Sequence, residues 1–464
     1  MNSQNYRSSA PIASVGVTSD TLTGRGGLAV IVQYFHAIGV IRLLEKHFGH
    51  LRTSGKGLPV GDFFFQVLCW LFDGTSRHLV YFDKLKSDPG YAAIIETTCE
   101  ELASSHQIKR FFQLFGNFAI GPFRQILHRL FRWRLNLETR TLIELTIDSM
   151  VMDNDSATHR HGVQPTYKKV KGFHPLHLIW HGMIVDAIFR GGKKHGNAGN
   201  AVLNMIRTNV RIIREALGED IPIVIRLESG FFDRRILELL DELNVAFIVS
   251  GKMYQAVKDI VAGTDQADWQ VFENEHLKWQ FAEFHWGCKS WPSTYRTLYT
   301  RAMYEGRQML LDFERPDNVI LTNIEPDAKC LKHWPESLRS EWLKGTRIIA
   351  SHHGRGVDEL PHRGLKDFGF QELPFKRFAP NAAVYYCMLI GFLVFESFKR
   401  DTLSDVIPIV SYATRVRREL FDIAAKIVRS AKRTVLKVTE AVMIRLDFGS
   451  LWARSREPSA IPIA

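Results

Sequence analysis

The sequence predicts an α/β protein, and three observations carry that prediction. Residues 28–138 place apolar side chains three and four apart between Gly, Pro and Asp breaks, which is the period of amphipathic helices. At Thr141 the period becomes extended: LIELTIDSMV, a polar hairpin region with YKKVKGFHPL, and HLIWHGMIVDAIFR read as three strands with turn residues between them. NAGNAVLNMIRTNVRIIREALG then reads as an amphipathic helix and IPIVIRLES as a fourth strand. Three strands, a helix and a strand is the order of a ribonuclease-H-like core.

Composition narrows the class. With 464 residues, 45% of them hydrophobic, the chain can bury a large core and divide into several domains. Lys and Arg number 60 against 49 Asp and Glu, and the net charge of +11 favours a polyanionic partner, most simply nucleic acid. Cys69, Cys99, Cys288, Cys330 and Cys387 form no C-x-x-C pair and no metal spacing, which argues against a disulfide framework and a zinc finger. The N-terminus lacks a basic-then-apolar leader, and the longest apolar run, Ala382 to Phe395, falls short of the ~20 residues that cross a bilayer. A soluble, cytoplasmic, nucleoid-associated protein away from membranes is therefore expected.

Taken in order, residues 1–27 are rich in Ser, Thr and Gly and read as a flexible arm. Residues 28–138 read as an all-helical DNA-binding domain. Its last two helices meet near Gly121 and Pro122 and carry Lys109, Arg110, Arg124, Arg129, Arg132 and Arg134, as would a helix-turn-helix on DNA or any small bundle with a basic outer face. Residues 139–252 hold the first part of the core, which ends with the helix FFDRRILELLDELNV and the strand AFIVSGKM. Residues 253–346 read as a β-rich insertion made of WQVFENEHLKWQFAEFHWG, TYRTLYTRAMYEG, RQMLLDFERP and VILTNIE. The core resumes over 347–400 with an apolar helix at 381–397. In the basic C-terminal region, 401–464, residues 411–438 are expected to form one long helix. Its basic stripe is Arg415, Arg418, Lys426, Arg429, Arg433 and Lys437, opposite Leu420, Ile423, Ile427 and Ala431. That stripe fits a solvated face or a phosphate-tracking surface.

Three acids stand out by position. Asp148 ends the apolar run of the first strand, Glu228 ends that of the fourth, and Glu359 lies in HHGRGVDELPHRGLKDFG, with Arg355 one helical turn before it and Lys366 about two turns after. Alone, that last stretch is a solvated row of ion pairs. In the expected core, however, the middle of strand one lies beside the end of strand four, which brings Asp148 and Glu228 together although eighty positions separate them. Phosphodiester cleavage needs an activated water and a stabilised leaving oxygen, and two Mg²⁺ ions ~4 Å apart provide both when several carboxylates hold them. Lys168, Lys169 and Lys171 sit on the hairpin beside the first strand, where they can hold phosphate. Asp153 and Asp155 read as turn residues, Asp233 as a weak substitute ligand and His195 as a loop residue, while Trp286 and Trp291 suit either a core or base stacking.

The spacing H-x2-R-x3-E-x6-K at His352, Arg355, Glu359 and Lys366 resembles the signature of the DDE insertion-sequence transposases that move by cutting and pasting. The likeness continues through LTIDSMV, KGFHPL, VDAIFRGG, SGFFD and RGVDELPHRGLKDFGFQELPFKRFAPNAA. It implies that Asp148, Glu228 and Glu359 form a catalytic, metal-binding triad for two Mg²⁺ ions, with Mn²⁺ able to substitute, and that Arg355 and Lys366 lie beside the scissile phosphate. It further implies double-stranded DNA partners, the terminal inverted repeats and the target, held in a synaptic complex by a homodimer. The reaction so implied is cleavage of the transposon ends and transfer of their 3′-hydroxyls. The family pattern has Asp where this chain has Glu228 and Tyr where it has His352, whose ring keeps the ability to stack on a base or bond a phosphate. Because Glu is one methylene longer, a second reading stays open: a transposase-derived DNA-binding protein weakened in catalysis.

Overall fold

The computed structural model describes residues 12, 14–52, 55–194, 199–273, 278–303, 317–354, 359–430 and 433–463. A short strand, β1 (Thr21–Thr23), precedes the helices Leu28–Ile38, Val40–Phe48, Val60–Asp73, Ser105–Gln113 and Gly121–Leu137. The first two are separated by Gly39 alone, whose φ of +74° is a left-handed conformation that glycine adopts at little cost. Next come β2 (Ile143–Ser149) and a small three-stranded sheet of β3 (Met152–Asp153), β4 (Gln164–Pro165) and β5 (Lys171–Phe173). The chain continues through β6 (Leu176–Trp180), β7 (Met183–Ile188), helix Ala201–Leu217, β8 (Ile223–Leu227), helix Arg234–Glu242 and β9 (Ala246–Ser250). These strands lie in the order β7-β6-β2-β8-β9, the first two joins antiparallel and the last two parallel. The expected succession of three strands, helix and strand is present.

The β-rich stretch enlarges that same sheet. Strands β10 (Gln270–Glu273), β11 (Lys278–Trp286), β12 (Tyr295–Met303) and β13 (Asn318–Thr322) join it through the antiparallel pairing of β13 with β9, which makes nine strands. The strand expected at RQMLLDFERP falls on 307–316, outside the described residues.

Helix Phe378–Phe398 is apolar on every face, and every residue from Ala379 to Phe398 is buried. It extends beyond the apolar run at both ends, so the run understated it. The stretch Phe378–Leu403 is long and apolar enough to cross a bilayer, yet 94% of its most apolar window is covered by the rest of the protein. One continuous core unites it with Phe64 and Phe123 of the N-terminal helices and with Leu178 and Ile225 of the sheet.

Three expectations are corrected. The long basic helix over 411–438 does not form. Short helical turns at Ala413–Val416 and Arg417–Phe421 lead instead into the hairpin β14 (Ala425–Ser430) and β15 (Arg433–Lys437). Ile423 and Ile427 are four apart and so fit either period, but Phe421, Ile423, Ala425 and Ile427 are buried in strict alternation with exposed neighbours, which is the period of a strand. Arg415, Arg418, Arg429 and Arg433 are all exposed but share no helical stripe. Second, the arm is anchored at its end: β1 pairs with β14, and Arg25 is bound to Asp73 and Asp88. Third, two of the cations of Gly121–Leu137, Arg124 and Arg134, face inward, whereas Arg132 is exposed. Arg124 donates to Asp186 at 2.8 Å, Arg134 donates to Asp401 at 2.7 Å and Arg132 is bound to Glu215. Arg124 and Arg134 are thereby committed to carboxylates of the protein itself, while Lys109 and Arg110 on the preceding helix are exposed.

Asp186 is fully buried and also accepts from Asn209 at 2.8 Å, with His128 at 3.1 Å. Burial alone would raise its pKa; Arg124 and His128 overcome that and hold it well below the usual carboxylate range. Asp186→Ala, which leaves Arg124 without its carboxylate, is expected to destabilise the fold by about 3–5 kcal/mol in denaturant unfolding, and Arg124→Met on that background to restore part of the loss.

Two glycines seat the β4–β5 hairpin. A Cβ on Gly172 would stand 2.0 Å from the carbonyl oxygen of Met152, and one on Gly192 would stand 2.2 Å from that of Gln164. Gly172→Ala is therefore expected to lift the hairpin and speed tryptic cleavage at Lys168 and Lys169 severalfold, while cleavage elsewhere keeps its rate.

Candidate active site

Asp148 and Glu228 meet because β2 and β8 run parallel. Ile147 is in register with Leu227, so Asp148, still paired with His177 on β6, and Glu228, just past the end of β8, follow at neighbouring positions. Asp148 Oδ1 accepts the Ser149 N–H at 2.6 Å. The third acid arrives on helix Glu359–Phe368, which sets His362 Nδ1 3.6 Å from Asp148 Oδ2. Glu359 stands about one turn before His362, on the same side of that helix. Tyr167 lies at the tip of the β4–β5 hairpin: partial burial raises the pKa of its phenol first, and the charges of Asp148, Glu228 and Glu359 raise it further.

Neutral imidazoles back this cluster. Burial lowers His362 to about 4, helped by Lys366 and Lys168, so at pH 7 its contact with Asp148 joins an uncharged ring to a carboxylate although the distance would suit an ion pair. His177 is in register with Asp148 on β6, fully buried, hydrogen bonded to Tyr385 and 4.9 Å from His362 ring to ring. Burial, then His362, lowers its pKa as well. His174 pairs with Ser149 Oγ at 2.9 Å and with the Lys194 carbonyl at 2.7 Å. Sequence reasoning passed over all three histidines; the available signal was the FHPLH spacing next to the first acid's strand, and a histidine three residues after Glu359.

Two lysines add positive charge near the site. Burial lowers the pKa of Lys366 on helix Glu359–Phe368, and the charge of Lys168 on the hairpin lowers it further. Lys169 occupies the left-handed turn position at φ +62°, and Lys171 is exposed on β5. Asp153 and Asp155 serve the turn as expected: Asp153 accepts the Asp155 N–H at 2.9 Å and Asp155 accepts the Lys171 N–H at 3.2 Å. Asp233 caps helix Arg234–Glu242 by accepting the Arg235 N–H at 2.9 Å, which leaves it poorly placed as a substitute ligand.

Other residues are placed differently from expectation. His352 is 7% exposed and pairs through Nε2 with Ser250 Oγ at 2.9 Å, so its ring serves packing and presents no open face for a base. Trp286 and Trp291 pack on Phe232, with ring centroids 6.3 and 4.9 Å away, and belong to an aromatic cluster. Arg355 and His195 lie outside the described residues.

The three acids offer hard oxygen donors, the chemistry that Mg²⁺ and Mn²⁺ require. Among the described residues, no three His, Cys, Asp or Glu side chains stand close enough to close a metal shell. The Glu359 side chain is 70% exposed and lies 3.9 Å from Arg363. The donor set thus fits a divalent ion in kind, with its members spread open.

The family described as Transposase DDE domain group 1 matches residues 12–456. Among solved structures, the chain is similar to one in the cryo-EM structure of the piggyBac transposase synaptic complex with hairpin DNA. The TM-score there is 0.42 at 13% identity, over 87% of this chain and 82% of that one. No curated protein matches. Since the family match spans nearly the whole sequence, the chain belongs to the transposase DDE domain group 1 family.

Proposed function

We propose that the protein is a DNA transposase that binds terminal inverted repeats, cleaves the transposon ends by hydrolysis and transfers their 3′-hydroxyls to target DNA. Asp148, Glu228 and Glu359 are its catalytic carboxylates. The observation that carries this reading is the parallel register of β2 and β8, which brings Asp148 and Glu228 to neighbouring strand ends, with helix Glu359–Phe368 set against Asp148 through His362. The strand order β7-β6-β2-β8-β9 supports a ribonuclease-H-like core beneath them.

Asp148, Glu228 and Glu359 would hold two Mg²⁺ ions, which when bound supply Lewis acidity at the phosphoryl oxygens and lower the pKa of water. The chain's own groups do the rest. Lys366 and Lys168 bind the phosphate oxygens that the acids alone would repel. Neutral His362 and His177 leave the charge of Asp148 undiminished, and the core behind them excludes water from that side. Lys109, Arg110, Lys169, Lys171, Arg415, Arg418, Arg429 and Arg433 supply phosphate contacts from separate surfaces, and joining two ends calls for a homodimer. The same reading puts the protein on chromosomal DNA in the cytoplasm. Glu228, with the open spacing of the acids, favours as second reading a DNA-binding relative weakened in cleavage.

Cleavage of labelled end DNA separates the two. Glu359→Gln is expected to abolish cleavage while leaving binding within about twofold, because the triad acts on the transition state and the cations set affinity. Glu228→Asp is expected to raise the rate by up to ~10²-fold, since a ligand misplaced by roughly 1 Å costs that much. A mutant no faster than the parent would show that Glu228 is already competent or is not a ligand, and metal titration of Glu228→Ala tells those apart. Affinity for end DNA should also fall steeply with salt, the slope of log K against log salt growing by about 0.9 per phosphate neutralised. Salt-insensitive binding would remove the phosphate-contact assignments.

A further inference from the structure

We infer that Tyr167 is the nucleotide-stacking residue of this site, its ring taking the base next to the scissile phosphate while Lys168 holds the phosphate itself. The inference rests on the transposase reading above and deepens it.

Four observations point the same way. Tyr167 is 65% exposed and contributes nothing to the core, so packing does not account for an aromatic ring at this position. It is held in place nonetheless. Thr166 donates its N–H to the Val170 carbonyl at 2.9 Å, Lys169 takes the left-handed turn position, and the hairpin is seated by close backbone approaches at Gly172 and Gly192. The ring lies 5.3 Å from that of His174, which bonds Ser149 next to Asp148, so it stands on the rim of the acids. Finally, Lys168 Nζ is 5.8 Å from the ring centroid, which puts a cation and a π-face on one hairpin tip.

The chemistry of that pair suits a nucleotide. A phosphate needs the cation, and the base needs a flat, uncharged surface that neighbouring carboxylates do not repel. Every base has a π-face, so such a contact tolerates sequence and serves position more than recognition. A ring held on a rigid turn can fix the phosphate relative to the acids, which is where small displacements cost most.

The test uses the full-length protein and duplex DNA from the inverted repeats flanking its coding region, with binding measured in Ca²⁺ and cleavage in Mg²⁺. Tyr167→Ala is expected to weaken end binding about tenfold or more, and Tyr167→Phe to stay within about twofold of the parent. Removing the base on one side of the cleavage point should weaken the parent protein by the same factor and leave Tyr167→Ala unaffected. That non-additivity is something a merely structural role for the hairpin would not produce. Parental affinity in Tyr167→Ala, equal damage by Phe and Ala, or effects of the mutation and the abasic site that multiply, would each overturn the inference while leaving the transposase reading intact. A parent protein that neither binds nor cleaves these ends would overturn both.

Discussion

The enclosure of helix Phe378–Phe398 is the constraint from which the rest of the structure follows. A helix apolar on all sides gains stability only if each side is covered, and no single neighbour can do that. Helices Val60–Asp73, Ser105–Gln113 and Gly121–Leu137 cover it from the N-terminal region, β7 covers it from the sheet, and helix Glu359–Phe368 covers it from the segment just before. Aromatic contacts fix the angles: Phe123 stacks on Tyr386 at 5.5 Å, and Phe368 meets Phe395 at 5.4 Å. Segments more than two hundred residues apart are thereby held to one axis. The same enclosure explains why Arg124 and Arg134 face inward: their helix is needed as a wall, and their carboxylate partners lie on what it covers.

From that axis a short chain of contacts reaches the acids. Tyr385 of the enclosed helix bonds His177, His177 lies against His362, and His362 lies against Asp148. Only the first link is a hydrogen bond, and His177 Nδ1 and His362 Nε2 are buried without a hydrogen-bond partner, so the two rings are held mainly by packing. Their electrostatic effect matters as much. Both imidazoles are kept neutral by burial, so among the described residues positive charge near the acids comes from Lys366 and Lys168 and from Arg363, 3.9 Å from Glu359. Carboxylates incompletely offset by neighbouring cations attract metal ions, and the lysines and arginine beside them are where phosphate is accepted.

Much of this could be read in the sequence, for identifiable reasons. Strands announced themselves through alternation and length, and since each of the two acids ends an apolar strand, the parallel register of β2 and β8 brings them together. What failed was local ambiguity. Ile423 and Ile427 satisfy a helical and an extended period alike, and only burial of the intervening Ala425 distinguishes them. The basic face of Gly121–Leu137 was legible as charge but not as pairing, because Asp186 and Asp401 lie 62 and 267 positions away from Arg124 and Arg134. The role of His352 depended in the same way on Ser250, a partner 102 positions distant. The neutral histidines were invisible for a related reason: a histidine's protonation follows from its surroundings, which composition does not describe.

The small motifs around the first acid gain a physical meaning from the hairpin. In KGFHPL and VDAIFRGG the glycines are not turn residues of convenience. Gly172 and Gly192 stand where a side chain would collide with the backbone of Met152 and Gln164, so the small sheet can close against the end of the core sheet only if both lack a Cβ. His174, two residues after Gly172, then reaches Ser149 and holds the hairpin to the strand that bears Asp148. Without those approaches the tip carrying Tyr167 and Lys168 would sit farther from the acids, and the phenol would no longer sense all three of them. A phosphate-binding cation and a flat ring are thus set at the rim by residues that touch no substrate. The conformational demands of the backbone and the chemical demands of the site are therefore written into the same few residues.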